Sequence, residues 1–155
     1  MSVTNHFQVC QKIIVIDEAA DSVLLAKRYG EADYDGVFSF IGGKLENADG
    51  GIIDGLRREK NEEIGESAKL MVYPEISWNT YYEKKDGNSM FLPHYLALYK
   101  GGDILLNKEE YSEYDWVKLD ELEEFEPKIN TIAPAVKAVL ILKDGITVSS
   151  LAIEI

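Results

Sequence analysis

The sequence predicts an α/β protein, and three observations carry the prediction. Apolar stretches of strand length recur along most of the chain, some alternating and some continuous. A helical stretch around residues 56–65 separates an earlier group of strands from a later one. A second helical stretch, residues 134–142, places Ala135, Val136, Val139, Leu140 and Leu142 to cover a sheet. With 155 residues and 46% hydrophobic composition, the chain has the length of one domain, 1–155, able to bury a single substantial core.

The elements follow in order. Residues 7–16 alternate and then become continuously apolar at Ile13-Ile14-Val15-Ile16, the pattern of a strand with a buried end. Residues 17–22 are a polar turn. Val23-Leu24-Leu25-Ala26-Lys27-Arg28 is a second strand, paired with the first as a hairpin. Residues 29–36 form an acidic, aromatic loop without periodicity, which leads into Val37-Phe38-Ser39-Phe40-Ile41 and the Gly42-Gly43 pair. Loops on a rigid scaffold commonly carry binding groups, so Arg28, Tyr29, Tyr34 and Phe38 are candidates for phosphate or base contacts, with packing or solvated surface as the alternative.

Beyond the central helix, residues 68–73 and 76–82 alternate as two strands, and Lys84-Lys85-Asp86-Gly87-Asn88 carries an Asp-Gly hairpin signal. Residues 91–99 return as a long apolar strand. Pro93 within it points to a sheet edge or a bulge, and His94 is expected to be a satisfied sheet histidine rather than a base. Gly101-Gly102-Asp103 turns the chain into Ile104-Leu105-Leu106 and the acidic run 107–115, ahead of Trp116-Val117-Lys118-Leu119-Asp120-Glu121-Leu122. Glu110 and Glu113 lie in that run; each is a candidate metal ligand or general base, or a solvated loop carboxylate. The apolar tail, 146–155, adds a strand to this sheet or to that of a second subunit, which would make a homodimer.

The chemistry centres on the helix. Glu59, Glu62 and Glu63 stand at i, i+3 and i+4, so their carboxylates share one face with Cβ atoms roughly 5–6 Å apart. Like charges so placed repel one another, and a divalent cation removes the cost. With no His or Cys nearby, this hard-oxygen set suits Mg²⁺ or Mn²⁺, and magnesium completes its shell with waters and substrate phosphates. A solvated acidic face is the competing reading. Arg58, four residues before Glu62 and next to Glu59, is placed to orient a carboxylate, and Gly65 closes the helix as a C′ glycine.

Gly43, Arg58, Glu59, Glu62, Glu63 and Gly65 together resemble the Nudix box: Gly, five residues, Glu, seven residues, Arg-Glu, an aliphatic, any residue, Glu-Glu, any residue, Gly, an aliphatic. The match over 43–66 is divergent. Asp49 stands where the pattern has Glu, one extra residue near Gly50-Gly51 precedes Arg58, and Lys60 and Glu66 replace the two aliphatics. Lys60 must therefore snorkel or pair, and Gly55 inside the helix suggests close packing against a strand. The Trp116 segment, where an acidic loop precedes a Trp strand and a short helix, also looks like the family.

The resemblance implies an α/β/α sandwich with a mixed central sheet, the box helix on one face, and metal-dependent hydrolysis of a nucleoside diphosphate linked to another group. It implies Glu59, Glu62, Glu63 and the Gly42 carbonyl as metal ligands and Arg58 as their orienting partner. The base is one of these glutamates or a loop glutamate, Glu113 among them. Arg28, Lys44 and Tyr82 are the expected substrate contacts. Tyr81-Tyr82, where the family's ADP-ribose hydrolases tend to carry a proline, resembles the dinucleoside polyphosphate hydrolases; a modified nucleoside triphosphate or a nucleotide sugar stays open. A non-catalytic nucleotide-binding module is the alternative, motivated by Lys60 and the irregular spacing. An isomerase would need a cysteine facing a carbon skeleton, and Cys10 is poorly placed for that.

The net charge of −12 repels nucleic-acid backbones and anionic membranes, so an anionic small-molecule nucleotide must be drawn in by a bound cation and by local Lys or Arg. Cys10, the single cysteine, allows no intramolecular disulfide and fits a reducing, cytoplasmic setting as a small buried hydrophobe. No signal pattern and no apolar run of membrane-spanning length is expected.

Overall fold

The computed structural model describes residues 6–145 and 152–155. Its ten elements are β1 (Gln8–Val9), β2 (Lys12–Asp17), β3 (Ser22–Arg28), β4 (Phe38–Ser39), α1 (Ile52–Ile64), β5 (Leu70–Glu83), β6 (Ser89–Tyr99), β7 (Tyr111–Lys118), α2 (Ile132–Asp144) and β8 (Ile153–Glu154). All strands join one mixed sheet ordered β4-β3-β2-β6-β5-β8, with β1 against β6 and β7 against β3. β2 runs parallel to β6 and antiparallel to β3.

The continuous apolar runs mark strands covered on both sides. Ile14, Ile16, Val23 and Leu25 face one core, which α2 closes with Ala135, Val136 and Val139. Ile13, Val15, Leu24 and Ala26 face the other, with Leu56 and Ile64 of α1. The protein is thus an α/β/α sandwich, and the period-2 alternation within each run assigns every residue to its core.

The hairpin β2–β3 is paired only at its turn, Ile16 with Val23 and Asp17 with Ser22. Further on the two strands part, and β4 enters beside β3 through Ala26–Ser39 and Lys27–Phe38 pairing. This insertion delivers the chain to Gly42 and Gly43, which run beside residues 9–13: the Gln11 N–H donates to Gly43 O at 2.8 Å and the Leu45 N–H to Val9 O at 2.9 Å. Gly42 takes φ 118°, and a Cβ there would overlap the Gln11 backbone, so this close approach requires glycine.

Several expectations are corrected. Residues 70–83 form one strand, because a register shift between Tyr73 and Ser77 absorbs Pro74 and Glu75 without ending the ladder with β6. Pro93 lies in the interior strand β6, beside the break between β1 and β2, whose ladders stop at Phe91 and restart at His94. Residues 119–124 form turns where the family resemblance suggested a short helix. The acidic run is extended strand from Tyr111 onward rather than loop. Of the tail, Ile153 and Glu154 pair with Val72 and Met71 of the same chain, and Ile155 is buried in the α1-side core; 146–151 lie outside the described residues.

Candidate active site

A cleft of about 560 Å³ opens at the ends of β2 and β6, where the glycine segment, α1 and the 29–36 loop converge. Glu59, Glu62, Glu63, Arg58, Gly42, Arg28, Lys44 and Tyr82 all line it, as do Tyr34 and Glu110. Glu113, Tyr29 and Phe38 do not. Glu113 sits on β7 opposite Lys27, whose ammonium it holds at 3.1 Å, because strand pairing carries this part of the acidic run along the outer edge of β3. Phe38 packs in the core against Phe125 with ring centroids 5.0 Å apart.

Arg58 organises the acidic face. Its Nε and one terminal nitrogen grip the two Asp49 oxygens at 2.9 and 3.0 Å, a bidentate fork, and the same end of the guanidinium donates to Lys44 O at 2.9 Å. The other terminal nitrogen reaches Glu59 at 2.8 Å and Glu62 at 3.3 Å. Asp49 therefore does with a shorter side chain what the box's Glu would do, the extra residue near Gly50-Gly51 accommodating it. The Arg58 hydrogen bonds hold the Asp49 carboxyl down at about 2.

Glu63 is buried at 2% exposure. One carboxylate oxygen accepts the Gly42 N–H and the other the Tyr111 hydroxyl at 2.9 Å. Burial pushes Glu63 up to about 7 and moves Glu59 in the same direction, while Lys12 and Arg58 oppose the shift. Lys12 itself donates to the Gly42 carbonyl at 2.7 Å, the oxygen expected to be a metal ligand. Gly43 has no side chain where a Cβ would strike the Glu59 carboxylate. The buried carboxylates of Glu59 and Glu63, the exposed one of Glu62 and a carbonyl make a hard-oxygen donor set that fits Mg²⁺ or Mn²⁺. Among the described residues no three His, Cys, Asp or Glu side chains are gathered around a common point as they stand.

Lys60 is buried at 2% and its ammonium donates to Gly65 O at 3.3 Å and Ala68 O at 3.0 Å, satisfying carbonyls at the helix end. The departure at the box's aliphatic position thus turns away from the cleft. Gly55 packs where a Cβ would overlap Gln11 and Leu45, bringing α1 against the β1–β2 break.

Sequence reasoning missed Lys12 and Tyr111 and underrated Asp49. Lys12 had a signal, a cation bordering the four-residue apolar run 13–16. Tyr111 had none, since its partner Glu63 is 48 residues away. At the outer end Tyr34 and Tyr82 pair their rings at 5.6 Å, and burial with the nearby Asp33 carboxylate pushes the Tyr82 hydroxyl up to about 12. Five cations, Lys12, Arg28, Lys44, Arg58 and Lys84, line the cleft together with seven acidic side chains, Glu31, Asp33, Glu46, Glu59, Glu62, Glu63 and Glu110, so an anion needs a bound cation as well as these local charges.

A mixed sheet between two helices, with a glycine segment set against a carboxylate-bearing helix, defines an α/β/α sandwich with an acidic cleft. The NUDIX domain model matches residues 7–139, and the chain belongs to that family and with it to the pyrophosphohydrolases. No curated protein matches the sequence. Among solved structures it is similar to a MutT NUDIX hydrolase from Burkholderia pseudomallei (21% identity, TM-score 0.68, covering 87% of this chain and 99% of that one). It is also similar to a C. elegans Ap4A hydrolase (15%, TM-score 0.71, 90% and 99%). A third likeness is to the NUDIX domain of Shewanella oneidensis NrtR in complex with ADP ribose (13%, TM-score 0.67, 93% and 91%). At these identities the likenesses establish the fold. None of the described helices is long and apolar enough to cross a membrane.

Proposed function

We propose that the whole chain, 1–155, acts as one cytoplasmic domain that hydrolyses the diphosphate linkage of a nucleoside diphosphate bonded to another group, with Mg²⁺ or Mn²⁺ as cofactor. The single observation that carries this reading is the meeting of Glu59, Glu62, Glu63 and the Gly42 carbonyl in one cleft lined by five cations. A divalent ion held by these oxygens would neutralise the diphosphate and lower the pKa of the attacking water.

The chain's own groups do the rest. Arg58, fixed by Asp49, sets the orientation of Glu59 and Glu62. Gly42 N–H and Tyr111 fix Glu63. Lys12, Arg28 and Lys44 bring positive charge to substrate phosphates. The water's proton goes to one of the helix glutamates or to Glu110, which faces the cleft where Glu113 does not. Tyr82 and Tyr34 offer a stacking surface for a nucleobase, and Tyr82 favours dinucleoside polyphosphates over ADP-ribose among the substrate classes.

The test is a hydrolysis panel of nucleoside triphosphates, dinucleoside polyphosphates, nucleotide sugars and ADP-ribose with Mg²⁺, comparing the native protein with Glu62→Gln. Glu62 is exposed, so its substitution spares the fold. Turnover of one class, lost in the variant, supports the proposal and names the substrate. Binding of nucleotides with no turnover in either protein favours a recognition module instead.

A further inference from the structure

His94 lies on β6 in register with Lys12 of β2, and both line the cleft. Its Nδ1 meets two backbone carbonyl oxygens, Leu92 O at 2.9 Å and Trp78 O at 3.0 Å. A carbonyl only accepts, so Nδ1 carries the proton and Nε2 presents a lone pair. Among the described residues no group donates to Nε2, while the ring itself lines the cleft. The imidazole stands between Phe40 and Trp78, edge-on at centroid distances of 5.6 and 5.7 Å, with Leu92 and Ile132 on the same walls. Burial, with the Lys12 cation in support, pushes the imidazolium down to about 4, so the ring is neutral at neutral pH.

An acceptor in an apolar slot discriminates strongly. A ligand that brings no donor leaves it desolvated and unpaired, whereas a ligand with a donor in place restores the bond lost to water. Ionised phosphate oxygens only accept, so the group that satisfies the His94 lone pair belongs to a part of the substrate other than its phosphates.

We infer that His94 Nε2 is a specificity-determining acceptor that reads a hydrogen-bond donor on the nucleoside part of the substrate. The inference rests on the proposed function and deepens it. The donor is either an exocyclic amino group of the base or a ribose hydroxyl, which present the same chemistry to a lone pair.

The experiment measures equilibrium binding of ADP and GDP to the full chain. Each is compared with its analogue lacking the exocyclic amino group and with its 2′-deoxy and 3′-deoxy forms. For native protein one deletion is expected to weaken binding about 10- to 100-fold, an amino deletion marking the base and a deoxy form the ribose. His94→Asn keeps an N–H for the carbonyls and removes the acceptor at the Nε2 position, its amide oxygen falling where the ring has Cδ2. It is expected to bind the parent nucleotide about as weakly as native protein binds the critical analogue, with discrimination reduced to under about threefold. His94→Leu, which has neither donor nor acceptor, serves the same comparison if the first variant folds poorly. Equal binding of all analogues by native protein, or native-like discrimination in both variants, overturns the inference. Failure of native protein to bind either parent nucleotide overturns the inference alone when the hydrolysis panel shows turnover, and absence of turnover across that panel overturns the proposed function and this inference with it.

Discussion

Removing the Glu63 charge should expose a pH dependence of stability that the intact protein hides. Burial raises Glu63 from 4.5 to about 7, so between those values the folded state holds a proton that the unfolded state has released, and stability falls as pH rises. His94 acts with the opposite sign. Its folded value is depressed from 6.5 to about 4, the unfolded state binds the extra proton, and stability climbs between about pH 4 and 6.5. Each shift of about 2.5 units corresponds to ~3 kcal/mol. Both groups are almost wholly buried, so screening removes little of this. Their slopes cancel between pH 4.5 and 6.5 in the native, metal-free protein. In Glu63→Gln the histidine slope stands alone, and stability relative to the native protein should rise by ~3 kcal/mol from pH 4.5 to 7. Guanidinium unfolding followed by the fluorescence of Trp78 and Trp116, with chelator present, measures this, and taking the difference between the two proteins removes the other titrating groups. A difference that stays constant across pH 4.5–7, or that falls, would refute the burial argument for Glu63.

Further predictions concern the supports of the site. Gly43→Ala pushes a methyl onto the flexible Glu59 carboxylate and not onto backbone; it should shift the melting temperature little while lowering kcat/KM by about 100-fold. Arg58→Lys loses the fork to Asp49 and should cost roughly 10- to 100-fold in divalent-ion affinity, read by titration calorimetry. Lys60→Ala leaves two carbonyls and a cavity at the helix end, and should destabilise by about 2–4 kcal/mol in denaturant unfolding with turnover per folded molecule unchanged.

Local signals carried most of what could be foreseen. The spacing of Glu59, Glu62 and Glu63 placed three carboxylates on one helix face, and the apolar runs at 13–16 and 23–26 marked strands with two covered faces. What the sequence concealed depends on pairing between distant segments. A bulge at Tyr73–Ser77 keeps β5 whole although Pro74 looks like a terminator. Glu110 and Glu113 are three residues apart in one acidic run, yet the start of β7 leaves the first in the cleft and sends the second to Lys27. Lys12 and His94 become neighbours only through the parallel β2–β6 ladder. The role of Asp49 follows from loop geometry around an inserted residue, which a spacing rule does not contain.

The most direct test of the metal-dependent reading is Mn²⁺ binding to the native protein and to Glu59→Gln and Glu62→Gln, followed by electron paramagnetic resonance of free Mn²⁺. The account predicts saturable binding to native protein that weakens at least tenfold in each variant. Absence of Mn²⁺ binding, or binding that neither substitution alters, would contradict it.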